Sequence, residues 1–262
     1  MNSVWRKTAI GVGLALTAAC TSGAKTDQPV ITTTDQGRST SSPAGTETAT
    51  RGKSLVRLVN ALPSKRAIDV SSNDRTVFSA VAYKTVTPYT EVGDNRVRFR
   101  LRAAGADSAQ ADNNETLIDG DRYTIVALRD EHGGVQLRIV GDKVVPDSGK
   151  ARIRVINTVP GSKGVDIAVQ GAKDPLFQGA DYAAGADYKD IDPTTATIEI
   201  RRNGPSLRPI LLKSMRFEGG KAYTIILMGS GPGDIQAITF EDTVGDGSTN
   251  LSSANHHELL AK

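Results

Sequence analysis

The sequence predicts an all-β protein, with two tandem antiparallel β-sandwich domains behind a disordered linker. Three observations lead there. Short runs of alternating apolar and polar residues recur between clusters of turn formers. The same ordered set of such runs occurs twice, 97 to 100 residues apart. Ahead of both copies lies a polar segment with almost no apolar periodicity.

The first element, "MNSVWRK", is a short positive stretch, followed by the apolar run "TAIGVGLALTAA". That run is too short to span a bilayer comfortably as a helix and reads as a signal peptide, residues 1–19. It ends in "LTAAC", which resembles the bacterial lipoprotein box, and Cys20 is the sole cysteine of the chain. The resemblance implies that the Cys20 thiol takes a diacylglycerol before cleavage, so that a lipid anchors the protein in a membrane. Thr21, rather than Asp, follows it, which implies the outer membrane if the host is Gram-negative.

Residues 20–53, "CTSGAKTDQPVITTTDQGRSTSSPAGTETATRGK", are rich in Ser, Thr and Gly. They carry too little apolar surface to offset the entropy of ordering, so a flexible tether is expected.

The first domain, 54–146, contains "VRLVN", "IDV", "RVRFRLR", "YTIVAL" and "VQLRIV" as candidate strands. The second, 150–243, contains "IRVIN", "VDIAV", "ATIEIR", "YTIILM" and "IQAITF". Turns such as "SND", "GDN", "DEHGG" and "GSGPGD" separate them. So many short strands in under 100 residues call for two sheets packed face to face. The repeat matches Arg57 with Arg154, Asn60 with Asn157, Pro63 with Pro160 and Asp69 with Asp166. It continues with Phe78 and Phe177, Tyr83 and Tyr182, and Tyr89 and Tyr188. A period this long duplicates a whole domain and is not a solenoid unit. The join "VVPDSGK" is short, and the two domains are expected end to end with limited freedom. Residues 244–262 form a tail.

A basic strand, a Pro-containing turn, "xDV", then "VAYKTVTPY" and later "YTIV" resemble domain-of-unknown-function family 4397. The resemblance implies immunoglobulin-like β-sandwiches, often in tandem and exported by bacteria. It covers most of 54–240 and is looser in the second copy, where "ADYAAGADYKDI" keeps the tyrosines but loses "TVTPY". Many members carry a His before the turn proline; Asn60 and Asn157 stand there, so no metal or acid–base role transfers.

The chemistry-bearing residues are few. Lys and Arg number 32 against 29 Asp and Glu, and loss of Arg6 and Lys7 with the signal would leave near neutrality. No global field then steers the protein onto nucleic acid. His132 falls in a hairpin turn, and adjacent His256 and His257 lack the spacing of a rigid metal site. No GxSxG or HExxH motif occurs, and no cofactor is expected. "GSGPGD" precedes an alternating run rather than a helix, so it reads as a hairpin and not a phosphate loop. The acidic stretches 112–121 and 241–248 lack the spacing of a calcium loop and read as solvated.

The remaining candidate is "RVRFRLR". In a strand Val97, Phe99 and Leu101 face the core, and Arg96, Arg98, Arg100 and Arg102 line the other face about 7 Å apart. The second copy keeps the core face as Ala196, Ile198 and Ile200, but sets Thr195, Thr197, Glu199 and Arg201 opposite. The row is a candidate anion-binding surface, because guanidinium groups pair with phosphate and carboxylate. A charged row is more often a solvated strand face, where charge discourages aggregation. The expected function is a non-catalytic binding or structural module at the cell envelope. Its partner would be an anionic glycan, lipopolysaccharide or another envelope protein. The alternatives are an accessory subunit of an envelope assembly and, last, an enzyme.

Overall fold

The computed structural model describes residues 53–183, 187–202 and 208–242. The expected signal peptide, Cys20, the tether up to residue 52, the 244–262 tail, His256 and His257 lie outside the described residues.

Among the described residues, sixteen strands form four four-stranded sheets. The first eight are β1 (Ser54–Asn60), β2 (Ile68–Ser72), β3 (Arg75–Val81), β4 (Thr90–Val92), β5 (Arg96–Ala103), β6 (Ala109–Thr116), β7 (Arg122–Arg129) and β8 (Val135–Gly141). They make one sheet in the order β4-β1-β7-β8 and another in the order β3-β2-β5-β6. The next eight are β9 (Ala151–Asn157), β10 (Val165–Val169), β11 (Phe177–Ala180), β12 (Lys189–Ile191), β13 (Thr194–Arg201), β14 (Ile210–Phe217), β15 (Ala222–Met228) and β16 (Gln236–Asp242). Their sheets, β12-β9-β15-β16 and β11-β10-β13-β14, repeat the same order. The fold is therefore the expected all-β pair of sandwiches.

One pairing in each half departs from antiparallel. β1 runs parallel to β7, and β9 parallel to β15. A parallel partner needs a long crossover, and here the whole outer sheet lies between the two strands. The acidic stretch from 112 also begins inside β6 rather than in a loop, paired with β5.

Each sandwich has its own core. In the first, Val56, Leu58, Val70, Phe99, Leu101 and Ile125 are fully buried. In the second, Ile153, Ile167, Ile198, Ile200, Ile225 and Leu227 are equally sealed. Strand alternation alone predicts that the opposite faces of β1, β7, β9 and β15 are wet. They are not. Val59, Val126 and Leu128 of the first half form a third apolar cluster with Ile156, Ile226, Met228 and Phe240 of the second. The expected end-to-end arrangement is thus corrected, because the inner sheets of both halves are buried on two faces. The run "YTIILM" is buried at every position for this reason, like strands of a doubly covered sheet.

The repeat residues explain the local geometry. The Asp69 carboxylate accepts the backbone N–H of Ala80 (2.7 Å), and Asp166 that of Gly179 (2.7 Å). Both acceptors lie where the register of the β2–β3 or β10–β11 pair shifts, and both bulged residues have positive φ (51° and 62°). Asn60 and Asn157 donate to the carbonyls of Val81 and Ala180 and accept from the amides of Leu62 and Val159. Each Asn therefore ties the end of an inner strand to an outer one, which accounts for its presence in both copies.

Candidate functional site

Titratable groups converge most densely at the contact between the halves. Position 57 on β1 and position 154 on β9 point away from their own cores, and each guanidinium meets the carboxylate of the other half. Arg57 pairs with Asp242, and Arg154 Nη2 lies 2.5 Å from Asp142. The crossed distances close the square at 3.8 Å (Arg57 to Asp142) and 3.9 Å (Arg154 to Asp242). Two cations and two anions make the group neutral.

Hydroxyl groups complete the network with two-fold pseudosymmetry. Arg57 Nε donates to Thr124 Oγ1 (2.9 Å), which donates to Asp142 (2.8 Å). Arg154 Nε donates to Thr224 Oγ1 (2.8 Å), which donates to Asp242 (2.7 Å). The Tyr89 hydroxyl donates to Asp142 (2.6 Å) and that of Tyr188 to Asp242 (2.9 Å). The same rings lie over the guanidinium groups, at 4.7 Å for Arg57 and 4.6 Å for Arg154. Side-chain exposure of all four charged residues is 1% or less, so no solute reaches them.

Burial by itself pushes the Asp242 carboxyl up. The charges of Arg57 and Arg154, with hydrogen bonds from Arg57 and Thr224, outweigh it and hold the group below the usual carboxylate range. Burial raises the Tyr89 and Tyr188 hydroxyls well above the ordinary tyrosine value, and neighbouring Asp142 and Asp242 add to the effect. Tyrosine stays a neutral donor here over the whole physiological range.

The arginine row occupies the outer face of β5, as strand alternation requires. Arg96 and Arg98 are exposed, and Arg100 and Arg102 are half-buried. Cross-strand neighbours supply carboxylates: Asp112 meets Arg98 at 3.1 Å, and Asp74, on the β2–β3 turn, meets Arg100 at 2.6 Å. Arg102 stands opposite Asp69 in the β2 register, but that carboxylate is taken up by Ala80 and Gly105 amides. Arg96 has no carboxylate within ion-pair distance among the described residues, and with Arg98, Asn73, Asn114, Glu115 and Thr116 it lines an open depression. In the second half Thr195 is exposed, and Thr197, Glu199 and Arg201 are half-exposed, with Arg201 paired to Glu199 (2.7 Å).

The other candidates fall on turns or strand ends. His132 is exposed in the β7–β8 hairpin, its amide donating to Asp130. "GSGPGD" joins β15 to β16, and Asp234 accepts from Ser230 within it. Glu241 and Asp242 belong to β16, and Asp242 is buried rather than solvated. Among the described residues no three His, Cys, Asp or Glu side chains group to hold a metal.

Sequence reasoning matched Arg57 with Arg154 and Tyr89 with Tyr188, but did not connect them to Asp142 and Asp242. The signal was present: the two aspartates are 100 residues apart, as are Thr124 and Thr224.

Fold, strand order and duplicated network together define a tandem β-sandwich protein whose halves are two copies of one domain. The chain belongs to the family described as "Domain of unknown function (DUF4397)", whose model matches residues 54–168 and again 151–255. No curated protein matches it. Among solved structures it is similar to CBMbc (family CBM26) from Eubacterium rectale Amy13K, in complex with maltoheptaose. The identity is 13%, over 74% of this chain and 99% of that one, with a TM-score of 0.23, and a likeness at that level fixes no site.

Proposed function

We propose that the protein is a non-catalytic binding or structural module of the cell envelope, held at the membrane by a lipid on Cys20 and presenting its outer sheets to a partner. The observation that carries this reading is the sealed state of the charge network. A nucleophile and its base need access to substrate, whereas the densest convergence of carboxylate, guanidinium and hydroxyl groups here is buried, neutral and internally satisfied.

The partner surface we favour is the outer face of β5, with Arg96 and Arg98 as the accessible cations and Arg100 and Arg102 as their supports. The ligand class is an anionic glycan or lipopolysaccharide phosphate. Recognition there would rest on charge and not on ring stacking. The six tyrosines and five phenylalanines of the chain all belong to the three apolar clusters or the buried network.

The test is binding of the parent and of an Arg96→Ser/Arg98→Ser variant to lipopolysaccharide and to an acidic polysaccharide across a salt series. Salt-weakened binding that the variant loses supports the surface. Equal behaviour of the two proteins overturns it and leaves an envelope protein, sought by crosslinking, as the partner. Loss of membrane fractionation on Cys20→Ser is expected for the anchor; an unchanged distribution would refute it.

A further inference from the structure

The interface between the halves combines a symmetric centre with an asymmetric rim. Arg57, Thr124, Tyr89 and Asp142 of the first half face Arg154, Thr224, Tyr188 and Asp242 of the second through matching bonds, to which Arg154 adds donations to Gly141 and Thr124, and Tyr182 adds bonds to Arg129 and Gln136. The matching part of that centre is self-complementary, so two first halves or two second halves could make those contacts.

The apolar rim differs. Repeat-equivalent positions carry Val59 and Ile156, Val126 and Ile226, Leu128 and Met228, and Val140 and Phe240. At three of these four positions the first half carries the smaller residue. Phe240 also lies over Arg57 at 4.7 Å, while the first half has no ring at residue 140. Interiors pack to near-crystalline density. Small against large fills the space, small against small leaves voids, and large against large overfills it.

We infer that this face is a partner-selecting docking surface. The charge square sets register and orientation, and the size asymmetry of the rim makes the second half of this chain the partner that fits. The same fit would hold for the second half of another copy, and it rejects pairing of like with like. The 143–150 connection bonds Arg152 through the Lys143 carbonyl and Asp190 through the Asp147 amide, but in this reading the halves recognise each other without its continuity. Selection by built-in misfit is how specificity is obtained when attractive contacts are shared by all competitors.

The experiment uses the full chain with a specific protease site inserted between Ser148 and Gly149, which are exposed. After cleavage, size exclusion and native mass measurement should find one first half with one second half. Separated halves, or like pairs in comparable amount, would overturn the inference. Three changes enlarge the first half: Val59→Ile, Val126→Ile and Val140→Phe. Three reduce the second: Ile156→Val, Ile226→Val and Phe240→Val. Either set alone should weaken pairing of the cut protein by roughly 10- to 100-fold. Both sets together should recover most of that loss, because the small and large sides are merely exchanged. A combined variant as weak as the product of the two single effects would refute selection by size. Should the full sets unfold a half, as circular dichroism would reveal, Val126→Ile with Ile226→Val makes the same comparison with one methylene exchanged.

Discussion

Neutralising Asp242 is the sharpest probe of what joins the halves. Asp242→Asn keeps the shape and can still accept from Thr224 and Tyr188, but leaves Arg57 and Arg154 with one carboxylate between them. One unit-charge pair at about 4 Å is worth about 4 kcal/mol at an effective dielectric of about 20. Asp242 attracts two guanidinium groups, one in contact and one at 3.9 Å, and relief of its repulsion with Asp142 offsets part of the loss. The expected cost is therefore about 4 kcal/mol, in the range of about 3–5 for removing one partner of a buried pair. Equilibrium unfolding in urea followed by circular dichroism reads it directly. With a slope of about 2 kcal/mol/M, the midpoint should fall by about 2 M. Adding Arg57→Met returns the buried group to one cation and one anion. The double variant should then be more stable than the sum of its parts by roughly 2 kcal/mol or more. A loss below about 1 kcal/mol for Asp242→Asn, or strict additivity, would refute the assignment of the square as a coupled unit.

Other outcomes follow from the same contacts. Because the inner sheets share one interface, the parent should unfold in a single transition by heat or urea, and two resolved transitions would contradict that sharing. Asp242 is held below the ordinary carboxylate range, and Asp190, bound through two hydrogen bonds by Arg152, is drawn down to about 2. Folded groups that resist protonation contribute stability above the unfolded value of about 4, so stability should fall as pH drops from about 4 towards 2. Raised Tyr89 and Tyr188 act in the opposite sense: the unfolded chain releases their protons near pH 10 and the folded one does not, so stability should also fall above about pH 10. Melting temperatures across both windows check the two signs. Asp69→Ala removes the acceptor of the Ala80 and Gly105 amides and should cost about 1–3 kcal/mol in the urea midpoint, whereas Arg96→Ser should stay within about 0.5.

Much of this molecule is legible without coordinates. Alternation in "RVRFRLR" assigns Val97, Phe99 and Leu101 to a core and the arginines to the other face, because successive side chains of a strand point to opposite sides. The 97-to-100-residue repeat announces two copies of one sandwich and matches Asp69 with Asp166, whose hold on the two bulges the structure then shows. Where a residue's role depends on its own strand or the adjoining turn, local pattern suffices. The contact between the halves is another matter. Arg57 in "VRLVN" shows in the sequence only as the repeat match of Arg154, Asp242 falls in an acidic stretch that reads as solvated, and nothing marks Asp142. Only the docking of two inner sheets turns these residues into a buried, neutral square. Period-two alternation reports which side of a strand a residue takes, but not what covers that side. Burial of the second face is a long-range event between strands some hundred residues apart, and it was decided by tertiary structure alone.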